Sequence, residues 1–527
     1  MRLLEKSEYM KIGYAKDVAD KNWRIIYKML EILPAFLAWA TLIILVALSF
    51  VWPYFVAIFI IIFDIYWLTK TIYLSLHLRS TYKKIKENTK IDWIGKVREI
   101  PRASYTLPVS SWENIYHLVI LPMYNEGLEI VDATLQSVQK NNYPKNKMIV
   151  ILAVEEAGGD AARVVAEKAK EKHQNDFLKF LIVYHPKGIK GEIPGKGSNA
   201  AYAGRISQKL CDDLGLDYKN IIVSALDVDT VLPEMFFARL AFLYLTSKNP
   251  ERTSFQPVPF FLNNIWEAPS IARVVAFSST FWHMIQQERP ERQTTFSSHS
   301  MSMQTLIDVD FWQVNMVSED SRIFWQCFLR YDGDYKIQPM FFPVYMDANV
   351  AKTFWRTMKN VYKQQRRWGF GVENVPYFLF GFIQNKNIPV KKKFHYAFVI
   401  LESFHSWATN ALIIFLFGWL PVLVGGALFD VSVLSYNLPR ITRDIMNLTM
   451  LGIVTSAVLS IRFLPPRPPQ YGKHKFLLMF LQWILIPITL IVFGAIPGLE
   501  AQTRLAVGKY LGFWPTEKHR KNIYPHT

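Results

Sequence analysis

Long uncharged apolar segments lie at both ends of this chain and constrain its fold more than any other feature. The run from Leu33 to Trp52 is long enough to cross a bilayer, and a second run extends from Tyr54 to about Leu76. No small-residue cleavage site follows the first run, so we interpret it as an anchor. Pro53 separates the two runs, and we therefore expect a transmembrane hairpin at about 33–76 with both ends in the cytoplasm.

The region from residue 391 to residue 527 repeats the apolar pattern and ends in a basic tail. Candidate spans, separated by polar or proline-rich joints, lie near Phe404 to Gly426, Met446 to Phe463 and Phe476 to Ile496. Three crossings from a cytoplasmic domain would leave the tail outside, whereas the positive-inside rule favours the cytoplasm. We therefore expect three or four helices here, with either a re-entrant segment or a further crossing between Lys393 and Gly426.

Basic residues are concentrated beside the apolar runs. The chain has 60 Lys and Arg against 43 Asp and Glu, a formal net charge of +17, with basic groups between Arg79 and Arg102 and between Arg356 and Lys393. Juxtamembrane basic runs mark the cytoplasmic side and bind acidic lipid headgroups. Residues 1–100 are thus expected to form a charged cytosolic N-terminal helix, the hairpin and a basic linker. Membrane lipids are expected partners and nucleic acid is not, because the sequence contains no nucleic-acid-binding module.

The composition excludes several classes of protein. Hydrophobic residues make up 51% of the 527 residues and charged residues 20%, which argues against a disordered chain or a coiled coil. The two cysteines, Cys211 and Cys327, cannot form a disulfide framework, and their surroundings show no metal-ligand spacing. We expect both to be buried free thiols in a multi-pass protein of the cell membrane.

Asp64 lies near the middle of the second apolar run. An ionisable group at that depth is costly and usually faces a bundle interior or a water-filled path. Two interpretations stay open: Asp64 lines a channel, or it makes a structural contact with another helix.

Between residues 101 and 390 the pattern changes to short β-branched runs that alternate with amphipathic stretches. Strands are predicted at His117 to Leu121, Met148 to Val154, Phe180 to Val183 and Ile221 to Leu226. Helices are predicted near Leu128 to Lys140, Asp160 to Lys172 and Asn199 to Leu210. This alternation indicates a cytosolic α/β domain with a mostly parallel sheet, inserted between the membrane helices. Ligands bind such sheets at the carboxyl ends of the strands.

Asp227 and Asp229 follow the fourth predicted strand. On extended chain, residues two apart point to one face, so both carboxylates are expected at a single site. A divalent cation bound to a substrate diphosphate needs only one or two protein carboxylates. A solvated turn is the alternative interpretation, and the position after a buried strand favours metal binding.

The segment Pro122 to Gly127 ends the first predicted strand at the same edge. Such a loop offers backbone N–H groups and polar side chains, here those of Tyr124, Asn125 and Glu126, to a nucleotide. Taken alone the signal is weak, because Asn and Gly are also ordinary turn residues.

The glycine-rich segment Gly191 to Asn199 is not a P-loop. It is one residue short between its glycines, and Gly197 follows Lys196 where a P-loop has Ser or Thr. Lys196 could still supply a point charge to phosphates. A capped helix start explains the segment equally well.

Glu319 and Asp320 follow an apolar stretch and precede a helical pattern from Arg322 to Leu329. A carboxylate there could take a proton from an attacking hydroxyl group, provided that it lies within hydrogen-bond reach. Acidic residues at a helix N-terminus are the structural alternative.

The most distinctive short stretch is Gln364 to Trp368. Arg367 could hold a diphosphate by charge-assisted hydrogen bonds, and Trp368 offers a flat face on which a sugar can stack. The alternative is a basic helix that lies on the membrane surface with a tryptophan at the interface.

The order and spacing of these motifs resemble the family 2 inverting glycosyltransferases, and among them the membrane-embedded branch that includes cellulose, chitin and hyaluronan synthases. The motifs are Pro122-x-Tyr124-Asn125-Glu126, Lys196-x-x-Asn199, Asp227-x-Asp229, Glu319-Asp320 and Gln364-x-x-Arg367-Trp368. The resemblance covers roughly Leu118 to Trp368 and implies a Rossmann-like domain of the GT-A type.

The resemblance also implies a role for each motif residue. Asp227 and Asp229 would bind Mg²⁺ or Mn²⁺, and Asp320 would be the catalytic base. Glu319 and Trp368 would contact the acceptor. The donor would be bound by Pro122, Tyr124, Asn125, Glu126, Glu155, Lys196, Asp227, Gln364 and Arg367.

One position departs from the family pattern. The family usually has an aspartate after the second strand to hold the nucleotide, whereas this chain has Glu155. A glutamate accepts the same hydrogen bonds from a longer arm, so the nucleotide pocket is expected to differ in depth.

The sequence therefore predicts a membrane glycosyltransferase that uses a nucleotide sugar, expected to be a UDP-sugar, and a glycan or lipid-linked acceptor. Processive synthesis with export is the first interpretation, and transfer of one sugar to a lipid carrier is the second. A non-catalytic scaffold or transporter would have a broken acidic constellation, yet Asp227, Asp229 and Asp320 are all present.

Overall fold

Two long helices joined at Pro53 form the N-terminal region, as the apolar runs predict. In this computed structural model, which describes residues 2–512 and residue 514, the first helices are α1 (Lys6–Tyr9), α2 (Lys21–Val51), α3 (Pro53–Asn88) and α4 (Trp93–Glu99). Proline is favoured at the first position of a helix because its missing N–H is not needed there, so α3 starts directly at Pro53. Asp20 caps α2, since its side chain accepts a hydrogen bond from the Trp23 N–H.

A mixed sheet forms the centre of the described chain. Its strands are β1 (Tyr116–Met123), β2 (Met148–Glu155), β3 (Lys179–His185), β4 (Ile221–Ala225), β5 (Thr253–Phe260), β6 (Ser300–Ser302) and β7 (Lys336–Tyr345). The strand order is β3-β2-β1-β4-β6-β5-β7, and β6 runs antiparallel to both of its neighbours while the other pairs are parallel. The predicted mostly parallel α/β sheet is thus confirmed, and β1, β4 and β7 end at the same edge.

The sequence patterns predict β1 to β4 but miss β5 to β7. Prolines interrupt β5, at Pro257 and Pro259, and β7, at Pro339 and Pro343, and prolines in a run argue against a strand. Strand β6 has only three residues, all buried although two are serines. Pairing and burial in the tertiary fold override these local signals.

Helices cover both faces of the sheet. They are α5 (Leu128–Gln139), α6 (Gly159–His173), α7 (Lys196–Asp213), α8 (Phe236–Thr246), α9 (Ser270–Gln287), α10 (Met303–Asp308), α11 (Glu319–Arg330), α12 (Phe354–Gly369) and α13 (Asn374–Gln384). Successive residues of β1 enter different cores, with Leu118 in one hydrophobic cluster and Val119 in another. The three predicted helices correspond to α5, α6 and α7, although α7 begins at Lys196, earlier than the predicted Asn199.

Both cysteines are buried free thiols, as expected. Cys211 and Cys327 lie in the same hydrophobic cluster as Leu118, and each is 0% exposed. Burial raises the pKa of the Cys211 thiol to about 12. This thiol therefore stays protonated and behaves as a small apolar side chain.

The C-terminal region is helical and mostly apolar. Its helices are α14 (Val390–Phe415), α15 (Leu420–Val424), α16 (Ala427–Asp430), α17 (Val433–Arg462), α18 (His474–Leu481), α19 (Ile486–Leu490) and α20 (Ile496–Ala506). Within the described residues, five segments are long and apolar enough to cross a membrane: α2, α3, α14, α17 and the broken helix His474–Ala506. Two of these segments precede the central domain and three follow it, which is consistent with an integral membrane protein.

The broken segment His474–Ala506 leaves the central domain and returns to it. Near its start the Phe476 ring lies 5.4 Å from the Trp266 ring. Near its end Glu500 Oε2 accepts a hydrogen bond from the Tyr362 hydroxyl at 2.7 Å. Both ends of this segment thus contact the central domain, and the number of crossings in this region stays a prediction. Most of the predicted tail lies outside the described residues.

Candidate functional site

The predicted metal-binding aspartates lie in a turn that follows β4. The strand ends at Ala225, and the Thr230 N–H donates to the Asp227 carbonyl oxygen at 2.9 Å, which closes the turn. The expectation that both aspartates lie on extended chain is therefore wrong, because the chain turns directly after the strand. The Asp227 side chain is 25% exposed and Asp229 is 2% exposed, so the two carboxylates differ in accessibility.

Asp229 lies against the end of β7, a contact that the sequence did not predict. The Asp347 N–H donates to Asp229 Oδ2 at 3.3 Å, and Asn263 Nδ2 donates to the Asp229 carbonyl oxygen at 3.0 Å. A β-bridge between Val231 and Tyr345 fixes this register. Asp347 is itself buried, and it lies beside Asp229 through its backbone N–H. Its place two residues after β7 gave no usable signal, because prolines hide that strand in the sequence.

Lys196 joins two of the predicted site residues. Its Nζ lies 2.6 Å from Asp227 Oδ1 and 2.9 Å from each carboxylate oxygen of Asp320, and it donates to Ser297 Oγ at 3.2 Å. Burial alone would lower the pKa of this lysine, but the adjacent carboxylates raise it well above its ordinary value. The ammonium group therefore stays charged and holds Asp227 and Asp320 together. We call these three residues the charged cluster.

The close approach of α7 to α11 depends on Gly197. A Cβ at this position would lie 2.8 Å from Glu319 Cβ and 3.2 Å from the Gln313 carbonyl oxygen. A residue without a side chain permits such an approach. The glycine that breaks the P-loop pattern thus lets the first turns of the two helices meet, which brings Lys196 to Asp320.

Glu319 and Asp320 form the first turn of α11, where free backbone N–H groups favour negative charge. Glu319 is 5% exposed, and burial together with the adjacent Asp320 raises its pKa to about 8. Asp320 is more accessible, and its Oδ1 lies 3.9 Å from His299 Nδ1. At neutral pH Glu319 is therefore mostly protonated, and Asp320 is the carboxylate paired with Lys196.

The loop after β1 folds around the carboxylate of Glu126. Its Oε2 accepts hydrogen bonds from the N–H groups of Tyr124 at 2.8 Å and Asn125 at 3.1 Å. Gly158 packs against the same loop, because a Cβ there would collide with the Tyr124 carbonyl oxygen. Pro122 belongs to β1 itself. The predicted nucleotide-binding loop is therefore held in shape by its own glutamate.

Glu155 ends β2 and its carboxylate contacts a histidine that the sequence analysis did not identify. Glu155 Oε2 lies 2.9 Å from His185 Nδ1, and His185 Nε2 lies 3.0 Å from Glu192 Oε2. Burial lowers the pKa of His185, but the two glutamates outweigh it and the net shift is upward. These side chains fasten the loop before α7 to the sheet edge, so Glu155 is buried beside the site and has a protein partner.

Trp368 on α12 packs in an aromatic group at the border of the charged cluster. Its ring lies 5.9 Å from the Phe261 ring and 5.8 Å from the Phe296 ring. Phe296 directly precedes Ser297, which accepts a hydrogen bond from Lys196. The aromatic group therefore adjoins the charged cluster, and protein contacts cover part of the tryptophan surface.

The adjacent arginines of α12 have different neighbours. Arg366 binds Glu500 of α20 at 2.8 Å. Arg367 lies close enough to Glu319 for its positive charge to oppose the upward shift of the Glu319 pKa. Gln364 is partly exposed on the same helix. Arg367 is therefore the residue of this motif whose charge acts on the site.

Asp227 and Asp229, two residues apart in one turn, carry the donor type that suits a divalent cation bound together with a substrate. Within the described residues, no group of three or more His, Cys, Asp or Glu side chains is arranged to hold a metal ion. Asp227 and Asp229 offer hard oxygen donors of the kind that Mg²⁺ and Mn²⁺ prefer. One or two carboxylates are sufficient when substrate phosphates complete the coordination. Lys196 meanwhile neutralises Asp227.

Comparison with known proteins finds likenesses to solved structures. No family model matches the chain, and no curated protein matches it. The mannosyltransferase PcManGT from Pyrobaculum calidifontis in complex with GDP-Man and Mn²⁺ is similar at 14% identity and a TM-score of 0.38, over 74% of this chain and 99% of that one. S. aureus TarS 1-349 in complex with UDP-GlcNAc is similar at 12% identity and a TM-score of 0.34, over 75% and 92%. Because identities and TM-scores are this low, the function is inferred from the residues of this chain.

Proposed function

We propose that this chain is an integral membrane glycosyltransferase that moves a sugar from a nucleotide-sugar donor to a glycan acceptor with inversion. The observation that carries this proposal is the charged cluster, in which Lys196 joins Asp227, at 2.6 Å, to Asp320, at 2.9 Å. One ammonium group thus holds a candidate metal ligand and a candidate base at the carboxyl edge of a mostly parallel sheet. This is the edge at which such sheets bind ligands.

Asp320 is the general base in a single displacement. It takes the proton of the acceptor hydroxyl while that oxygen attacks the anomeric carbon of the donor sugar. The new carbon–oxygen bond forms as the bond to the diphosphate breaks, and the diphosphate leaves with the bonding electrons. Attack from the face opposite the leaving group inverts the anomeric configuration. Glu319, whose pKa burial and Asp320 raise to about 8, is mostly protonated at neutral pH and adds little negative charge beside the base.

Positive side chains stabilise the leaving diphosphate. Lys196 can exchange its contact with Asp227 for a phosphate oxygen, and Arg367 offers a planar group with several N–H donors. Charges fixed in advance at the position where negative charge develops lower the barrier most effectively. Mg²⁺ or Mn²⁺ held by Asp227 and Asp229 would add further charge stabilisation to the leaving group.

The nucleoside is assigned to the loop after β1. Tyr124 and Asn125 follow the end of β1, and Glu155 lies at the end of β2, the neighbouring strand. Because the Glu155 carboxylate is oriented by His185, the pocket wall is formed before the donor binds. A UDP-sugar is the donor that we expect to fit best.

Ion pairs connect the site to the membrane helices, which supports a product path through the membrane. Arg292, on the loop that also carries Ser297, binds Glu402 of α14 at 2.7 Å, and Glu402 binds Lys70 of α3 at 3.0 Å. On the same helix, nearer to Pro53, the side chain of Asp64 is buried, with 4% of the residue exposed. Buried charged groups in membrane helices are costly and mark polar paths. We therefore favour a processive enzyme that exports its polymer. Asp64 is a candidate lining residue; its polar interaction with Thr442 of α17 is the helix contact that the sequence analysis gave as the alternative.

Non-processive transfer to a lipid-linked acceptor is the second candidate. A cavity of about 630 Å³ lies between α14 and α17, where Arg440 and Arg443 accompany apolar and aromatic side chains such as Trp419. That lining suits a lipid with an anionic headgroup, although the cavity lies toward the Pro53 end of α3 and not at the charged cluster. Product length separates the two candidates, because processive synthesis gives long chains and single transfer gives one glycolipid.

The proposal is tested by sugar-nucleotide turnover. Purified, detergent-solubilised protein is incubated with UDP- and GDP-sugars, membrane acceptors, and Mg²⁺ or Mn²⁺. We expect nucleotide release that requires the cation and occurs with one donor, together with a ladder of glycan products. A single glycolipid would support the second candidate. Folded protein that releases no nucleotide from any donor would contradict the proposed activity.

A further inference from the structure

A buried glutamate holds the backbone that leads into the predicted catalytic pair. Glu373, just after α12, is 0% exposed. Its Oε1 accepts hydrogen bonds from the Val317 N–H at 3.1 Å, the Ser318 N–H at 2.8 Å and the Ser318 hydroxyl at 2.6 Å. Hydrogen bonds to a charged acceptor are stronger than neutral ones, so this contact fixes the residue that immediately precedes Glu319.

The next residue, Asn374, forms hydrogen bonds with the two residues that follow Asp320. Asn374 Nδ2 donates to Ser321 Oγ at 2.9 Å, and Asn374 Oδ1 accepts from Arg322 Nε at 2.6 Å. Arg322 is 0% exposed and also donates to the Glu373 carbonyl oxygen at 3.1 Å. Residues 318, 321 and 322 are therefore all bound by one dipeptide, and Asp320 lies between them.

The N-terminal segment completes this support. The Tyr14 hydroxyl donates to Glu373 Oε2 at 2.7 Å, and the Tyr14 ring stacks on the Tyr510 ring at 3.9 Å. Burial and the negative charge of Glu373 raise the pKa of Tyr14, so the phenol stays protonated and acts as a donor. Both oxygens of Glu373 thus have partners from different parts of the chain.

From these contacts we propose that Glu373, Asn374 and Tyr14 are positioning residues that set the location of Asp320 relative to Lys196 and Arg367. This inference rests on the proposed function, in which Asp320 is the general base. Glu373 follows Arg367 closely in sequence. The residue that positions the base and the arginine that would bind the leaving diphosphate therefore belong to one continuous segment. Their relative position is thereby fixed.

Small displacements of a base reduce the chemical step more than they reduce binding. A misplacement of about 1 Å can lower a rate about 100-fold. Loss of the Glu373 contacts is therefore expected to lower kcat while the KM for the donor stays near its wild-type value. A merely structural role would instead lower thermal stability and the amount of active protein without separating kcat from KM.

The test compares Glu373→Gln and Tyr14→Phe with two matched controls in the full-length protein. Asp132→Asn alters a carboxylate that is 18% exposed and binds Lys172 at 2.6 Å and His173 at 2.8 Å, away from residues 317–322. Tyr244→Phe removes a fully buried phenol, which donates to the Lys219 carbonyl oxygen at 2.7 Å. The four variants are measured for kcat, donor KM, Tm and nucleotide binding.

We expect kcat to fall about tenfold or more in Glu373→Gln and by a smaller factor in Tyr14→Phe, with donor KM unchanged. The controls should lower Tm without a selective loss of kcat. Unchanged kcat in both Glu373→Gln and Tyr14→Phe, or an equal loss of kcat in the controls, would overturn the inference.

Two further variants keep the result interpretable. If Glu373→Gln does not fold, Ser318→Ala removes only the 2.6 Å contact with Glu373 and should lower kcat in the same way. Asp320→Asn separates the inference from the proposed function. An inactive Asp320→Asn beside fully active Ser318→Ala and Glu373→Gln contradicts the positioning role alone, whereas an active Asp320→Asn contradicts the function as well.

Discussion

Lys196 Nζ lies 2.9 Å from both carboxylate oxygens of Asp320. The same nitrogen lies 2.6 Å from Asp227 Oδ1, so one cation is shared by two carboxylates that are expected to have different roles. Under the proposed function, an incoming diphosphate and its cation would compete with these contacts. Lys196 would then contact phosphate, and Asp227 would be available to hold the cation.

Removal of the Lys196 charge should weaken donor binding and destabilise the donor-free protein. In Lys196→Met the carboxylates of the charged cluster lose their counter-ion, and breaking such a part-buried ion pair costs roughly 2 kcal/mol or more. We expect a lower Tm and a higher KM for the donor. Mn²⁺ should raise the Tm of the variant more than that of the wild type, because the cation replaces the missing charge.

The matched control is Lys190→Met, which removes an exposed lysine from the same loop. Its Tm, its donor KM and its response to Mn²⁺ should equal those of the wild type. Equal Mn²⁺ responses in Lys196→Met and the wild type would contradict competition between the ammonium group and the metal ion.

A methyl group at Gly197 should separate α7 from α11. In Gly197→Ala the new Cβ would lie 2.8 Å from Glu319 Cβ, so one helix has to shift, at a cost of about 1–3 kcal/mol. Lys196 would then lose its geometry with Asp320, and both Tm and kcat should fall. Gly371→Ala is the control, because its Cβ would meet no atom closer than 3.8 Å. Equal activities of the two variants would contradict the role given to Gly197.

Substitution of the two adjacent arginines should give different defects. Arg367→Lys loses the planar group near Glu319, and we expect the donor turnover to fall about tenfold or more with little change in Tm. Arg366→Met removes the charge that pairs with Glu500 at the junction of α12 and α20, so it should lower Tm with a smaller effect on turnover. Turnover assays and thermal unfolding of both variants check this difference, which would be absent if both arginines served only the helix contact.

The raised pKa of Glu319 makes the stability of the protein depend on pH. Burial and Asp320 raise this pKa from 4.5 to about 8, so between these values the folded state binds more protons than the unfolded state. The free energy of unfolding therefore falls as pH rises through this window, because the contribution of Glu319 is complete below pH 4.5 and is lost by about pH 8. Glu319→Gln removes this contribution. The Tm of the variant relative to the wild type should increase as pH rises, and a difference that is independent of pH would contradict the assignment.

The sequence was informative for several site residues that follow a predicted strand or begin a helix. Asp227 and Glu126 could be placed at the same edge because parallel strands end together, and Asp320 could be placed at a helix start from its local pattern. The turn at Asp227 could not be predicted, since the end of β4 depends on pairing with β1 and with β6, a strand of three residues with no recognisable pattern.

Local sequence patterns could not predict contacts between residues that are far apart in the chain. Tyr14 and Glu373 are 359 residues apart, and neither has a neighbouring motif that indicates a partner. The same holds for Glu155 and His185, which meet because β2 and β3 pair in register. Such side chains are buried polar groups that need partners, but the sequence alone does not identify which partners they have.

The proposal that Asp320 is the general base is tested most directly by the rate of sugar transfer in Asp320→Asn. Asp213→Asn is the control, because Asp213 is exposed at the opposite end of α7, about 25 Å from Lys196. We predict that Asp320→Asn lowers transfer by about 10²–10⁴-fold while nucleotide binding persists, and that the control matches the wild type. Transfer at the wild-type rate in Asp320→Asn would contradict the mechanism.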